Sequence, residues 1–244
     1  MANDKRDTMQ KEIQIIVSKL CPPDTYETGY ANLTGLLIPE FNNYQYGISL
    51  VRKLDDEIID EVKNGPTIDY HDLYNSINDE LNEKVNIIVE SLKEISVNAL
   101  PIKATLHDAE IDKESRETLR SKLSHKMCAT QSGLGWIGKT DLFISKRFGS
   151  RVRLASVLTD IPFSPEQPPV MESRCGSCNI CVESCPADAA NGRLWKAGID
   201  RGEFYDAFKC RAHCRTISKK NLDKEISICG ICVAVCPIGQ KNKV

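Results

Sequence analysis

The chain has 244 residues, 41 % of them hydrophobic, enough for one large domain or two smaller ones with a real core. No apolar run approaches the ~20 residues of a membrane span, and the opening MANDKRDTMQ is not a signal peptide. A cytoplasmic protein without a membrane partner is expected, and in that reducing compartment its eleven cysteines are read for metal before disulfides.

The formal net charge of −2 hides an uneven distribution. Lys139, Lys146, Arg147, Arg151 and Arg153 crowd one stretch and Lys209, Arg211, Arg215, Lys219, Lys220 and Lys224 another, while the first hundred residues lean acidic. Such stretches suit an anionic partner, RNA or a phosphate-bearing cofactor, and equally suit a solvated face.

In chain order, Ile13 to Leu20 reads as a short helix ending at Cys21-Pro22-Pro23. YGISLVRKL, Tyr46 to Leu54, mixes apolar and β-branched residues and predicts a strand. From Asp72 to Ser96 the apolar Leu73, Ile77, Leu81, Val85, Ile88 and Leu92 follow a helical period that should bury one face. Pro101 to Leu106 predicts a strand, Lys113 to Thr130 a helix, and Leu142 to Ser145 and Val152 to Leu158 two further strands. The composition changes at PFSPEQPP, Pro162 to Pro169, which reads as a linker. The predicted class is α+β: a mixed α/β domain over residues 1–165, then a second domain over residues 166–244 whose cysteine runs, Cys175 to Cys185 and Cys229 to Cys236, are of the bacterial ferredoxin-like double-cluster type.

Nine of the eleven cysteines follow that linker. Cys175-x-x-Cys178-x-x-Cys181-x-x-x-Cys185-Pro186 is the bacterial ferredoxin run in full. Three thiolates at this spacing wrap three corners of one [4Fe–4S] cube, and the fourth points to another cluster. Structural zinc is the competing reading, but zinc sites pair CxxC motifs across a longer loop. The second copy, Cys229-x-x-Cys232-x-x-x-Cys236-Pro237, is one ligand short, because Ile226 stands where the first cysteine would be. Ferredoxin crossover assigns Cys175, Cys178, Cys181 and Cys236 to one cluster, and Cys185, Cys229, Cys232 and either Cys210 or Cys214 to the other. Cys210 is favoured, because Arg211, His213 and Arg215 around Cys214 suit a loop surface; the unused one would be a free thiol. Cys21 and Cys128 read as small buried residues.

Gly133-Leu134-Gly135-Trp136-Ile137-Gly138-Lys139-Thr140 formally satisfies the phosphate-loop pattern GxxxxGK[ST]. Its context is wrong, since a helix-like stretch precedes it and a strand-like one follows. The glycines around Trp136 instead indicate a tight turn, where backbone approaches a ligand or a neighbouring element.

GLGWIGK at Gly133 to Lys139, RFGSRVRLASVLTD at Arg147 to Asp160, CGSCNICVESCPADA at Cys175 to Ala189, the later CGICVAVCP and IDYH at Ile68 to His71 together resemble the epoxyqueuosine reductase family. The resemblance spans about Tyr46 to Pro237. It implies a cobalamin-dependent reductase, in which an N-terminal α/β domain holds cobalamin, two clusters feed electrons to cobalt, and the epoxide oxygen of a modified tRNA base is removed. Gly133, Gly135, Trp136, Gly138 and Lys139 become the candidate cofactor-binding residues, and a low-potential donor such as ferredoxin or flavodoxin the expected partner. No DxHxxG motif is present, so no lower histidine ligand of that sort is expected, in keeping with the family. At the family's proton-donating aspartate an ungapped match places Leu119, with Glu117, Glu114 and Asp112 the nearby carboxylates. Longer members continue into a helical-repeat domain that helps grip tRNA, whereas this chain stops at Val244. These departures weaken the case for tRNA as substrate. A non-catalytic di-cluster electron carrier docking a partner enzyme is the alternative; RNA binding without chemistry would leave the clusters unexplained.

Overall fold

The computed structural model describes residues 2–106, 108–163 and 165–240. In chain order its principal elements are α1 (Ala2–Leu20), β1 (Tyr26–Asn32), β2 (Tyr46–Lys53), α2 (Asp56–Asp60), α3 (Ile68–Glu94), β3 (Ala99–Ile102), α4 (Lys113–Thr118), α5 (His125–Gln131), β4 (Gly135–Ile137), β5 (Phe143–Ser145), β6 (Val152–Thr159), α6 (Ile180–Glu183), α7 (Ala207–Leu222) and α8 (Ile231–Val235). By packing, the chain divides into two units, neither continuous in sequence. One comprises Met1–Arg52, Asn78–Leu134 and Arg153–Val170, the other Lys53–Ile77, Gly135–Val152 and Met171–Val244. This differs from a single cut after residue 165, because Lys53–Ile77 and Gly135–Val152 pack with the cysteine-rich segment. The PFSPEQPP stretch falls within the first unit, and its Ser164 lies outside the described residues.

The first unit is built on a four-stranded sheet in the order β1-β2-β6-β3, with β1–β2 and β3–β6 antiparallel. Leu81, Val85, Ile88 and Leu92, spaced along one face of α3, are completely buried, as are Ile13 and Val17 of α1. This one-sided burial is what the apolar period of α3 encodes. Ala31, Leu33, Phe41, Leu123, Cys128 and Leu158 form a further core cluster, which places Cys128 as a small buried side chain.

Three local expectations are corrected. α1 begins far ahead of Ile13, and β1, whose YETGYAN has no apolar run, is a strand where none was predicted. The helix expected over Lys113 to Thr130 is two short helices: Leu119 ends α4 in the left-handed conformation at φ 55°, and the Ser124 hydroxyl caps α5 by accepting from Met127 N–H at 3.3 Å. A left-handed residue interrupts the helical ladder, and a serine with a free downstream N–H restarts it.

His125, on the first turn of α5, is held from both sides. Its Nε2 lies 2.9 Å from the Lys103 carbonyl, which can only accept, so this nitrogen carries the proton; Nδ1 lies 2.9 Å from Ser156 Oγ and accepts from it. Burial lowers the His125 pKa from 6.5 to about 4. Between those values the unfolded chain binds a proton that the folded one refuses, so stability falls as pH drops from about 6.5 to about 4. His125→Gln should flatten the dependence of the urea midpoint on pH across this window. An unchanged slope would contradict the assignment.

Candidate metal centre

The second unit gathers the cysteines by folding distant segments together. Arg151, with its side chain 1 % exposed, donates from Nη1 to the Asp56 carbonyl at 3.0 Å and to Asp56 Oδ1 at 3.2 Å, and from Nη2 to Asp60 Oδ1 at 2.7 Å. This buried pairing fixes α2, which packs with its following 3-10 turn on α8, the helix that carries Cys232. Ser150 Oγ donates to the Val233 carbonyl of α8 at 2.8 Å. The adjoining β4–β5 hairpin pairs Trp136 with Ile144, and Ile137 packs with Trp195 and Phe204.

Two sets of thiols result. Cys181 has Cys236, Cys175 and Cys178 as its electrostatic neighbours, and Cys236 in turn has Cys175 and Cys178. Cys232 neighbours Cys229, Cys210, Cys181 and Cys185. Cys210 and Cys214 lie one turn apart on α7, with their Sγ atoms 3.8 Å apart, and Cys214 also hydrogen-bonds Cys229. The expectation that Cys214 sits on a surface loop is thus corrected: it is a buried helical residue in contact with two other thiols, and its basic neighbours point elsewhere around the helix. Among the described residues no three His, Cys, Asp or Glu side chains close on a single ion-sized point. A four-iron cube is wider than an ion and takes its thiolates at its corners, so both sets fit such a group.

The electrostatics favour protons on several of these sulfurs until metal displaces them. Burial, reinforced by neighbouring thiols, pushes Cys181, Cys232 and Cys236 up. The bond from Cys214 lowers Cys210 to about 6 and also lowers Cys229. Three hydroxyls whose contacts no sequence motif announces also reach the thiols: Thr140 bonds Cys181, Ser150 bonds Cys236, and Tyr205 bonds Cys210. Their roles depend on contacts distant in sequence, so local pattern carries no signal for them.

The glycine–tryptophan residues are buried, and their tight packing is against protein. A Cβ on Gly135 would lie 2.0 Å from the Ile144 carbonyl oxygen, so this glycine permits the close approach of the paired strand. A Cβ on Gly138 would meet Ile144 at 3.2 Å and Cys175 Sγ at 3.6 Å. Gly133, in the first unit, has φ 75°, and a Cβ there would lie 2.8 Å from the Pro168 carbonyl oxygen. Lys139 Nζ donates to Asn179 Oδ1 at 2.6 Å. Trp136 Nε1 is the one buried donor of the stretch left without a partner among the described residues. Gly135–Ile137 form a short strand flanked by turns at Ser132–Gly133 and Lys139–Thr140, and the close approaches of Gly133, Gly135 and Gly138 are to neighbouring protein elements.

The first unit contains its own cavity of about 580 Å³, lined among others by Phe41, Ile102, Lys103, Asp112, Leu119 and His125. Its size is that of a small-molecule site. The candidate carboxylates are poorly suited to donate protons. Glu114 and Glu117 are exposed, Glu117 pairing with Lys113 at 3.8 Å. Asp112 caps α4 by accepting from Ser115 N–H at 2.7 Å, and that bond holds its carboxyl below the ordinary range.

The thiol sets give a direct test. Cys236→Ala should lose the first cluster alone, and Cys210→Ser should lower iron to about one cluster's worth, while Cys214→Ser retains both. Iron analysis with electron paramagnetic resonance reads each case. Loss of only the cluster at Cys229 and Cys232 in Cys236→Ala would contradict the partition.

Comparison with known proteins agrees with the cysteine geometry. Residues 174–239 match the 4Fe-4S double cluster binding domain. An epoxyqueuosine reductase of Bacillus anthracis is 35 % identical over 130 residues, covering 50 % of this chain and 30 % of that protein. One from Synechocystis is 31 % identical over 129 residues, covering 49 % and 40 %. The matched stretches thus span well under half the length of these relatives. The fold resembles a crystal structure of epoxyqueuosine reductase with a modified tRNA-Tyr stem loop, at TM-score 0.60 and 17 % identity, covering 98 % of this chain and 67 % of that one. It also resembles a catabolic reductive dehalogenase, at TM-score 0.62 and 17 % identity, covering 89 % and 30 %. No helix among the described residues is long and apolar enough to cross a membrane. Identity over half the chain, the matched double-cluster segment and the shared fold together make this chain similar to the epoxyqueuosine reductases over its cysteine-rich part and to their fold over its whole length.

Proposed function

We propose that the protein is an iron–sulfur oxidoreductase of the epoxyqueuosine reductase type, working in the cytoplasm with a corrinoid and a low-potential donor such as ferredoxin or flavodoxin. The observation that carries this reading is the convergence of Cys175, Cys178, Cys181 and Cys236, and of Cys185, Cys210, Cys229 and Cys232, which we assign as the ligands of two [4Fe–4S] clusters. When bound, the clusters supply single electrons at low potential and the corrinoid supplies the metal for reductive bond cleavage. The chain's own part is to hold the eight thiolates, exclude water from them, and orient a substrate.

Corrinoid use is supported by the similarity to epoxyqueuosine reductases and by a fold likeness, at TM-score 0.62, to a dehalogenase whose dehalogenation is described as B12-dependent. Gly133 to Lys139 add no support, being occupied with protein packing. The substrate would be a reducible small molecule or modified base; Leu119 at the aspartate's place argues against direct transfer of the epoxyqueuosine reaction, tRNA included.

A second reading, a di-cluster electron carrier, is favoured by that same leucine and by the exposure of Glu114 and Glu117. Anaerobically prepared protein incubated with hydroxocobalamin and gel-filtered separates the two. The reductase reading predicts corrinoid bands in the visible spectrum co-eluting with the broad cluster absorbance. Cluster absorbance alone would contradict it and favour the carrier.

A further inference from the structure

The stretch Gly135 to Thr140 contains a buried ammonium that neither phosphate binding nor an open cofactor cradle explains. Lys139 is 4 % exposed, and among the described residues its partner is the neutral Asn179, with no carboxylate paired to it. A buried lysine normally requires a compensating anion or strong polar group. Asn179 lies between Cys178 and Cys181, so the contact places the ammonium at the ligand loop of the first cluster. The same segment reaches the thiols elsewhere. Gly138 brings backbone close to Cys175 Sγ, the Thr140 hydroxyl bonds Cys181, and Ser150 bonds Cys236. Residues 138–150 therefore approach three of the four thiols in that set.

We propose that Lys139, oriented by Asn179, and Thr140 set the reduction potential of the first cluster by stabilising its reduced form. The proposal rests on the two-cluster reading. Reduction adds one electron to a group that already carries four thiolates, and no bond or proton is exchanged. A fixed positive charge in a water-poor site offsets the added negative charge, and a hydroxyl donated to a ligand sulfur disperses it; both raise the potential. The missing counter-ion of Lys139 is then the cluster itself. The residues act through the cluster's surroundings and are positioning residues.

The test is a redox titration of the whole, anaerobically prepared protein followed by electron paramagnetic resonance, with the first cluster's signal identified by its loss in Cys236→Ala. Lys139→Met should keep the wild-type iron content, leave the second cluster's potential unchanged, and disfavour reduction of the first about tenfold, ~59 mV for one electron. An unchanged first potential with iron intact would overturn the proposal. Should Lys139→Met lose first-cluster iron, Thr140→Val decides: it should shift the same potential downward by a smaller amount, and no shift overturns the proposal. Wild-type protein without iron would instead overturn the two-cluster reading.

Discussion

A [4Fe–4S] cube is held only where four thiolates meet at its corners, and in this chain those thiolates cannot meet locally. Cys236 lies far beyond Cys181 in sequence, yet the two are neighbours in the fold. The geometry of the second unit follows from that requirement. Arg151 ties α2 beneath α8, Ser150 fastens α8 through the Val233 carbonyl, and α7 delivers Cys210 and Cys214 from one helical face. Without metal these sulfurs are crowded and partly stripped of water, so iron must displace protons from Cys181, Cys232 and Cys236. Cluster assembly and the stability of this unit are therefore coupled.

The cysteine run was legible because ligand spacing is a short-range property, and α3 because its apolar period spans many turns. β2 could be read from its β-branched residues. β1 could not, since YETGYAN draws its burial from neighbouring elements and not from its own composition. The break at Leu119 was hidden because a left-handed leucine carries no sequence mark, unlike a glycine or proline. The interleaving of Lys53–Ile77 and Gly135–Val152 with the cysteine-rich segment is likewise tertiary information.

The glycine–tryptophan stretch shows how a short pattern announces close approach without specifying what is approached. Three glycines promised a close approach, and the approaches exist, but Gly135 faces the Ile144 carbonyl and Gly138 faces a cysteine sulfur. Lys139, a member of a basic stretch in the sequence, is buried and hydrogen-bonded. The end of a phosphate-loop pattern, Gly138 to Thr140, thus packs beside Cys175, Asn179 and Cys181 of the second unit. The first unit's cavity, with Leu119 and His125 in its lining, offers separate room for a small molecule.

The most direct test of this account is iron and acid-labile sulfide analysis of anaerobically prepared wild-type protein, combined with electron paramagnetic resonance after reduction. Two cubes require about eight irons per chain and two magnetically interacting signals. About four irons with a single signal, or stoichiometric zinc in place of iron, would contradict the account.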